Sequence, residues 1–211
     1  MNANKMAKIR LQINQKSAVE AYLLSSIEEF SKLSKNEHII LNKSGFSFQL
    51  NGALRAGLLL NQGSNEFCKM LDSAFNSYTT SENITVYRVC NYKEMLRYIE
   101  NNKYFDLGYM STSKSTQPIL RFFENPKIGY SPAFLTISIP AGSNILILDY
   151  IEDLDNTTYE EEILIKRNSM FEIISRDEIE SKEIEEHIGA EICDMYNKIT
   201  RIELKFLTYL S

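Results

Sequence analysis

The spacing of apolar residues changes period near residue 80, and this change limits the fold more than any other feature. Before it, apolar positions recur at helical spacing. Ser17 followed by Glu20 reads as a capping box, with Val19, Leu23, Ile27 and Phe30 after it. A second helix is expected over about 64–77, with Phe67, Leu71 and Ala74 on one face. After the change, short runs rich in β formers take over: "ITVYRV" (84–89), "LGYMST" (107–112), "AFLTISI", "NILILDY", "EILIK", "MFEIIS" and the terminal "IELKFLTYL". Pro140-Ala141-Gly142 marks a turn between the third and fourth runs. Two helices interrupt the strands. One follows Asn91 with Met95, Leu96 and Ile99; the other spans 176–200, with Ile184, Ile188, Ile192 and Met195 under an acidic outer face. Helices first and strands after predict an α+β fold.

With 211 residues and no internal repeat or Pro/Gly linker, one domain over 1–211 is expected, helical to about 80 and β-rich from about 81. The net charge of −5 argues against a nucleic-acid partner, which needs a basic footprint. No apolar run reaches the length of a membrane span, and the N-terminus lacks the apolar centre of a secretory signal. Cys68, Cys90 and Cys193 are too scattered for a disulfide framework or metal spacing. His38 and His187 are the only histidines, so a histidine triad or zinc site is not expected.

Three short pieces carry chemistry. Arg88 lies inside "VYRVC", where a charge alone reads as an edge or outward position. Ser111, Thr112 and Ser113 follow a strand, and alone read as a strand end or turn. Glu160, Glu161 and Glu162 stand directly before Ile163-Leu164-Ile165. Alone they read as a solvated face, with Glu160 and Glu162 on one side if the chain is extended.

Taken together and in this order, "YR", "STS" after an aromatic strand, and "ExE" before "ILI" resemble the Arg–Ser–Glu class of bacterial mono-ADP-ribosyltransferases. "LNGALRAG", "FLTISIPAGSNILIL" and "EEEILIKRNSMFEI" extend the likeness over roughly 45–175 and the final strand. It is strongest to clostridial Rho-modifying exoenzymes and the enzymatic domains of binary toxins. The resemblance implies N-terminal helices on two roughly perpendicular, mainly antiparallel sheets around an NAD cleft. It implies NAD as co-substrate with no metal, and transfer of ADP-ribose to a target protein in a host or competitor cell. The implied enzyme is a monomer, secreted or injected by a bacterium and acting in the target-cell cytosol. An NAD glycohydrolase and a degenerate binding domain of a toxin are the alternatives.

The resemblance also assigns roles. Glu162 stabilises the positive charge that develops on the ribose as nicotinamide leaves. Glu160 meets the acceptor side chain, and a glutamate there favours arginine. Glu161 is dispensable. Arg88 binds the pyrophosphate with Arg55 and Asn51, since a guanidinium is a permanently charged fork. Ser111 orients Glu162, Thr112 and Ser113 shape the nicotinamide pocket, and the Val89 backbone meets the nicotinamide amide where the family usually has glycine. Phe123 stacks on nicotinamide, and Arg121 or Lys127 replaces the loop arginine usual in the family. An aromatic five residues before the catalytic glutamate, common in the Rho-modifying group, is Thr157 here.

Overall fold

A computed structural model describes residues 8–23, 46–123, 130–154 and 161–210. The helices come first. Helix α1 (Ile13–Leu23) buries Ala18, Val19, Ala21 and Tyr22. It starts before Ser17, so the expected Ser17–Glu20 box lies in its interior; the Gln12 N–H at the true start is met by Gln15 Oε1 at 2.9 Å. Ile27 and Phe30 lie outside the described residues. Helix α2 (Phe46–Arg55) buries Leu50 and Asn51. Helix α3 (Gln62–Ala74) begins at Asn61, whose side chain accepts the Ser64 N–H at 2.8 Å. Its buried stripe is Ser64, Phe67, Cys68, Leu71 and Ala74, and a single 3₁₀ turn, Phe75–Ser77, completes the expected segment.

Nine strands follow among the described residues: β1 (Ile84–Asn91), β2 (Ile99–Glu100), β3 (Lys103–Asp106), β4 (Met110–Ser113), β5 (Pro132–Ile139), β6 (Ile145–Ile147), β7 (Glu162–Ile165), β8 (Ser169–Glu180) and β9 (Lys198–Tyr209). Their order is β2-β3-β8-β9-β5-β1-β4-β7-β6, and only β5 and β9 run parallel. The expected helix after Asn91 shrinks to α4 (Tyr92–Met95) and one 3₁₀ turn, because Ile99 already opens β2. The β2–β3 hairpin turns on Asn101 and Asn102, at φ of 49° and 60°, the left-handed conformation a two-residue turn requires.

The architecture is α+β with a large mixed sheet. Hydrogen bonding runs through all nine strands, but the two halves meet at a narrow seam. Strand β1 pairs with β5 along its whole length, from Ile84↔Ile139 to Asn91↔Pro132, and with β4 only at Tyr87↔Ser113.

Apolar residues on the two faces of β6 and β7 fill different clusters. Leu146 and Leu164 face the helices, meeting Val19, Leu50, Phe67, Leu71 and Tyr109. Ile145, Ile147, Ile163 and Ile165 face the other way, meeting Met110, Val86, Leu135 and Ile137. The run Ile163-Leu164-Ile165 is therefore covered on both sides, which explains why it is apolar without alternation.

The helix expected over 176–200 is not continuous. Strand β8 runs on to Glu180, and two short helices, α5 (Ser181–His187) and α6 (Ala190–Met195), lead into β9. Gly189 breaks the two apart at φ 149°. Ile184, Ile188 and Ile192 keep their helical spacing and are buried against Val89, Phe123, Phe134 and Ile179. Met195 is 42% exposed. No helix among the described residues is long and apolar enough to cross a membrane.

Candidate active site

The seam between the sheet halves gathers the charged residues. Arg88 lies on β1, which is flanked by β5 and β4, so it is not on a sheet edge. Its NH1 donates to the Ser111 carbonyl on β4. The Ser111 hydroxyl donates to Glu162 Oε1 at 2.6 Å, a short charge-assisted bond. Glu162 opens β7 and is only 6% exposed. One serine thus holds the guanidinium through its backbone and the carboxylate through its side chain.

Helix α2 supplies the second group. Asn51 and Arg55 share its inner face, one turn apart. Asn51 donates to the Tyr22 hydroxyl at 2.7 Å and accepts the Tyr109 N–H at 2.7 Å. Arg55 makes a two-pronged pair with Asp106, Nε to Oδ1 at 2.7 Å and NH2 to Oδ2 at 3.0 Å, and NH2 also reaches the Tyr109 carbonyl at 3.3 Å. A Cβ on Gly108 would stand 2.9 Å from Asn51 Oδ1 and 3.2 Å from Arg55 Cζ. Glycine is what lets the chain pass this close to both side chains.

The two groups share one electrostatic environment. Burial pushes the Tyr22 phenol up to about 12, Glu162 adds to the rise, and the Asn51 hydrogen bond, Arg88 and Arg55 oppose it. Burial pushes the Cys90 thiol up to about 11, with Arg88 and Arg55 again opposing and Asp106 adding. Burial disfavours the Arg55 charge, but the Asp106 carboxylate outweighs that and raises its pKa. Arg88, Arg55 and Glu162 therefore act on one tyrosine, although they come from a strand, a helix and another strand.

The other expected site residues divide. Thr112 is buried on the opposite face of β4 and donates to the Ile163 carbonyl at 2.7 Å, pinning β4 to β7. Ser113 pairs in register with Glu162, and its hydroxyl accepts the Ser115 N–H at 3.1 Å. The Val89 side chain is buried in the third cluster. Phe123 is fully buried beside Tyr196, whose hydroxyl donates to the Phe123 carbonyl at 2.6 Å, so it offers no free face for stacking. Its neighbour Phe122 is 45% exposed, and Tyr130 donates to the Phe122 carbonyl at 2.9 Å. Glu161 has a left-handed backbone, φ 45°, so the glutamate triplet turns at its centre and is not simply extended. Glu160, Lys127 and Thr157 lie outside the described residues, as does the side chain of Arg121.

Sequence reasoning missed Asp106, Tyr22 and Tyr109. Asp106 had a signal: it is the one acid in "YFDLGYMSTS", an otherwise apolar and hydroxylated run. Tyr22 and Tyr109 had none, since a tyrosine in an apolar stretch usually reads as core.

The ADP-ribosyltransferase exoenzyme family matches residues 2–194 of the chain. No curated protein matches it. Solved structures with a similar fold include C3larvin toxin, an ADP-ribosyltransferase from Paenibacillus larvae, at 18% identity and TM-score 0.55, covering 94% of this chain and 89% of that one. The Clostridium limosum C3 exoenzyme aligns at 17% identity and TM-score 0.57, covering 94% and 87%. Exoenzyme S from Pseudomonas aeruginosa, in complex with human 14-3-3 protein beta and bound to Carba-NAD, aligns at 16% identity and TM-score 0.57, covering 90% and 72%. At these identities the likeness is one of fold.

Proposed function

Because the chain belongs to the ADP-ribosyltransferase exoenzyme family, we propose that it is a mono-ADP-ribosyltransferase that cleaves NAD and transfers ADP-ribose to a side chain, arginine favoured, of a target protein. The Ser111–Glu162 bond, with Arg88 on the same serine, is the observation that carries this reading. The donor set suits a dinucleotide: permanently charged guanidinium groups for a diphosphate, and an oriented, nearly buried carboxylate for a ribose.

NAD supplies a glycosidic carbon whose bond to nicotinamide breaks, the bond electrons leaving with the neutral base. Glu162 stabilises the positive charge that grows on that carbon and accepts hydrogen bonds from the ribose hydroxyls. Ser111 fixes the rotamer of Glu162. Arg88 braces the Ser111 carbonyl and, with Arg55, binds the diphosphate. Asn51 is held by Tyr22 and Tyr109 beside them. Glu160 accepts the proton that the acceptor guanidinium loses as its nitrogen bonds to the ribose carbon. Phe123 is buried, so in this reading the stacking role passes to its neighbour Phe122, which is 45% exposed. Residues 1–211 act as one catalytic unit, a monomer delivered as a toxin or effector; the helices and β7 share one apolar cluster, which supports the single unit.

The test is incubation of the protein and its Glu162→Ala variant with labelled NAD and host or bacterial lysate. A labelled band with wild type alone, its modified residue identified by mass spectrometry, supports transfer to a protein. Nicotinamide release with no labelled protein points to a glycohydrolase, and absence of NAD binding by calorimetry overturns the enzymatic reading.

A further inference from the structure

Asp106 is a carboxylate that is 1% exposed, at the end of β3. Four donors saturate it. Oδ1 accepts from Arg55 Nε at 2.7 Å and the Gly108 N–H at 2.9 Å; Oδ2 accepts from Arg55 NH2 and the Tyr104 hydroxyl, each at 3.0 Å. A carboxylate so occupied has no lone pair left for a ligand, so Asp106 is not a base for the reaction. What it controls is the guanidinium. The pairing is side-on, through Nε and NH2, and leaves the NH1 corner of Arg55 without a partner among the described residues. The Arg55 side chain is 24% exposed although its partner is buried. Any side chain at position 108 would crowd the guanidinium, since a Cβ there would be 3.2 Å from its carbon. Arg55 NH2 reaches the Tyr109 carbonyl and Arg88 NH1 the Ser111 carbonyl two residues on, so both guanidinium groups line the same stretch of chain.

We infer that Asp106 is a positioning residue: it holds Arg55 edge-on so that NH1 is presented to the diphosphate of the dinucleotide. The inference rests on the NAD reading and adds a residue to it. An arginine on helix α2 has four rotatable bonds, and fixing it in advance removes an entropic cost from binding. A lysine could not do this work, because an ammonium cannot be gripped on one edge and presented on another.

The rival arrangement is competition, in which Asp106 masks Arg55 and the dinucleotide must displace it. The two differ in sign. If Asp106 positions Arg55, Asp106→Asn weakens NAD binding by roughly tenfold, a scale set by the loss of one well-placed charge-assisted contact. The loss falls on KM for NAD in the hydrolysis assay and much less on kcat. Arg55→Lys behaves alike, and the double variant is no worse than the weaker single, since both act through one contact. Calorimetry of NAD with wild type, both singles and the double reads this directly. Equal or tighter binding by Asp106→Asn, or additive losses in the double, overturns the inference while wild-type binding leaves the functional proposal standing. No binding of NAD by wild type overturns both. If Asp106→Asn does not fold, Tyr104→Phe removes one of the four donors and keeps the charge; a smaller rise in KM supports the inference, and an unchanged KM overturns it.

Discussion

Ser111 and Glu162 touch at 2.6 Å but are not cross-strand partners. The register of β4 and β7 sets Ser111 opposite Leu164 and Ser113 opposite Glu162. The bond is therefore diagonal, spanning neighbours about 7–8 Å apart at the backbone, within reach of a glutamate side chain. Because Ser111, Ser113, Glu162 and Leu164 share a face, and Leu164 belongs to the helix-facing cluster, the carboxylate lies on the side where α2 carries Asn51 and Arg55.

Ser111→Ala should lower kcat for nicotinamide release by about 10- to 100-fold, the equivalent of about 1.5–3 kcal/mol for a hydrogen bond to a charged group. KM for NAD should move much less, because Arg88 still meets the Ser111 backbone carbonyl. Ser111→Thr keeps a hydroxyl and should recover most of the rate. A threonine variant as slow as the alanine one would remove the hydroxyl from the argument.

The glutamates should separate by assay. Glu162→Ala should abolish both hydrolysis and transfer. Glu160→Ala should abolish transfer and leave much of the hydrolysis, and equal loss of hydrolysis in both variants would refute the division of roles. Glu161 is exposed and left-handed at φ 45°, a conformation glycine adopts without penalty. Both Glu161→Ala and Glu161→Gly should keep near-normal activity, with the glycine variant at least as stable in a thermal melt. An inactive Glu161 variant would mean that the register of the triplet is shifted.

Arg88→Lys should raise KM for NAD, measured as hydrolysis kinetics or as affinity by calorimetry. The guanidinium already spends one corner on the Ser111 carbonyl, and an ammonium offers no second edge in a fixed plane. Unchanged affinity would take Arg88 out of the site.

The sequence revealed the strands where one local pattern decided them. "ITVYRV" and "AFLTISI" became β1 and β5, and "ILI" became a strand covered on both faces. It misled where two periods overlap. Ile184, Ile188 and Ile192 are spaced as in a helix, but only Ile184 and Ile192 lie on short helices; Ile188 and Gly189 stand between them, and Ile179 and Ile199 are paired residues of β8 and β9. The pieces proposed to carry the chemistry were visible because each sits beside a recognisable strand. Asp106 stood out only as a lone acid in its run; its burial was not legible, because its partner Arg55 lies 51 positions earlier and nothing local shows a carboxylate to be buried. The choice between Phe122 and Phe123 was equally closed, since adjacent aromatics differ only in which one the third cluster takes in.

Alkali should unfold the protein early, and Tyr22 should contribute. Its phenol is pushed from 10.0 to about 12 by burial, so the folded state binds a proton that the unfolded state loses first. For a pKa raised on folding, the contribution is complete below the unfolded value and disappears as pH climbs to the folded one. Stability should therefore fall between pH 10 and about 12. Tyr22→Phe should flatten part of that slope in urea titrations taken at several pH values. An unchanged slope would mean that other buried tyrosines account for all of it.

A clamp that meets the proposed site only through the backbone of Tyr109 should matter chiefly for stability. Asp72 on α3 accepts the Tyr109 hydroxyl at 2.7 Å, and Arg167, just past β7, grips the same carboxylate with Nε at 3.0 Å and NH2 at 2.8 Å. The clamp ties a helix to the strand ends that lie opposite Ser113 and Glu162 along β4 and β7. Arg167→Met leaves a largely buried carboxylate with only a phenol to satisfy it, and should cost about 2–4 kcal/mol. Tyr109→Phe leaves the ion pair intact and should cost nearer 1 kcal/mol. Both should shift the urea midpoint without changing the slope of the transition, since neither alters the surface exposed on unfolding. The rate per folded molecule of Arg167→Met should stay close to wild type. A large fall in that rate at full folding would show that the far ends of β4 and β7 set the Ser111–Glu162 geometry, and that the two ends of the strands are mechanically coupled.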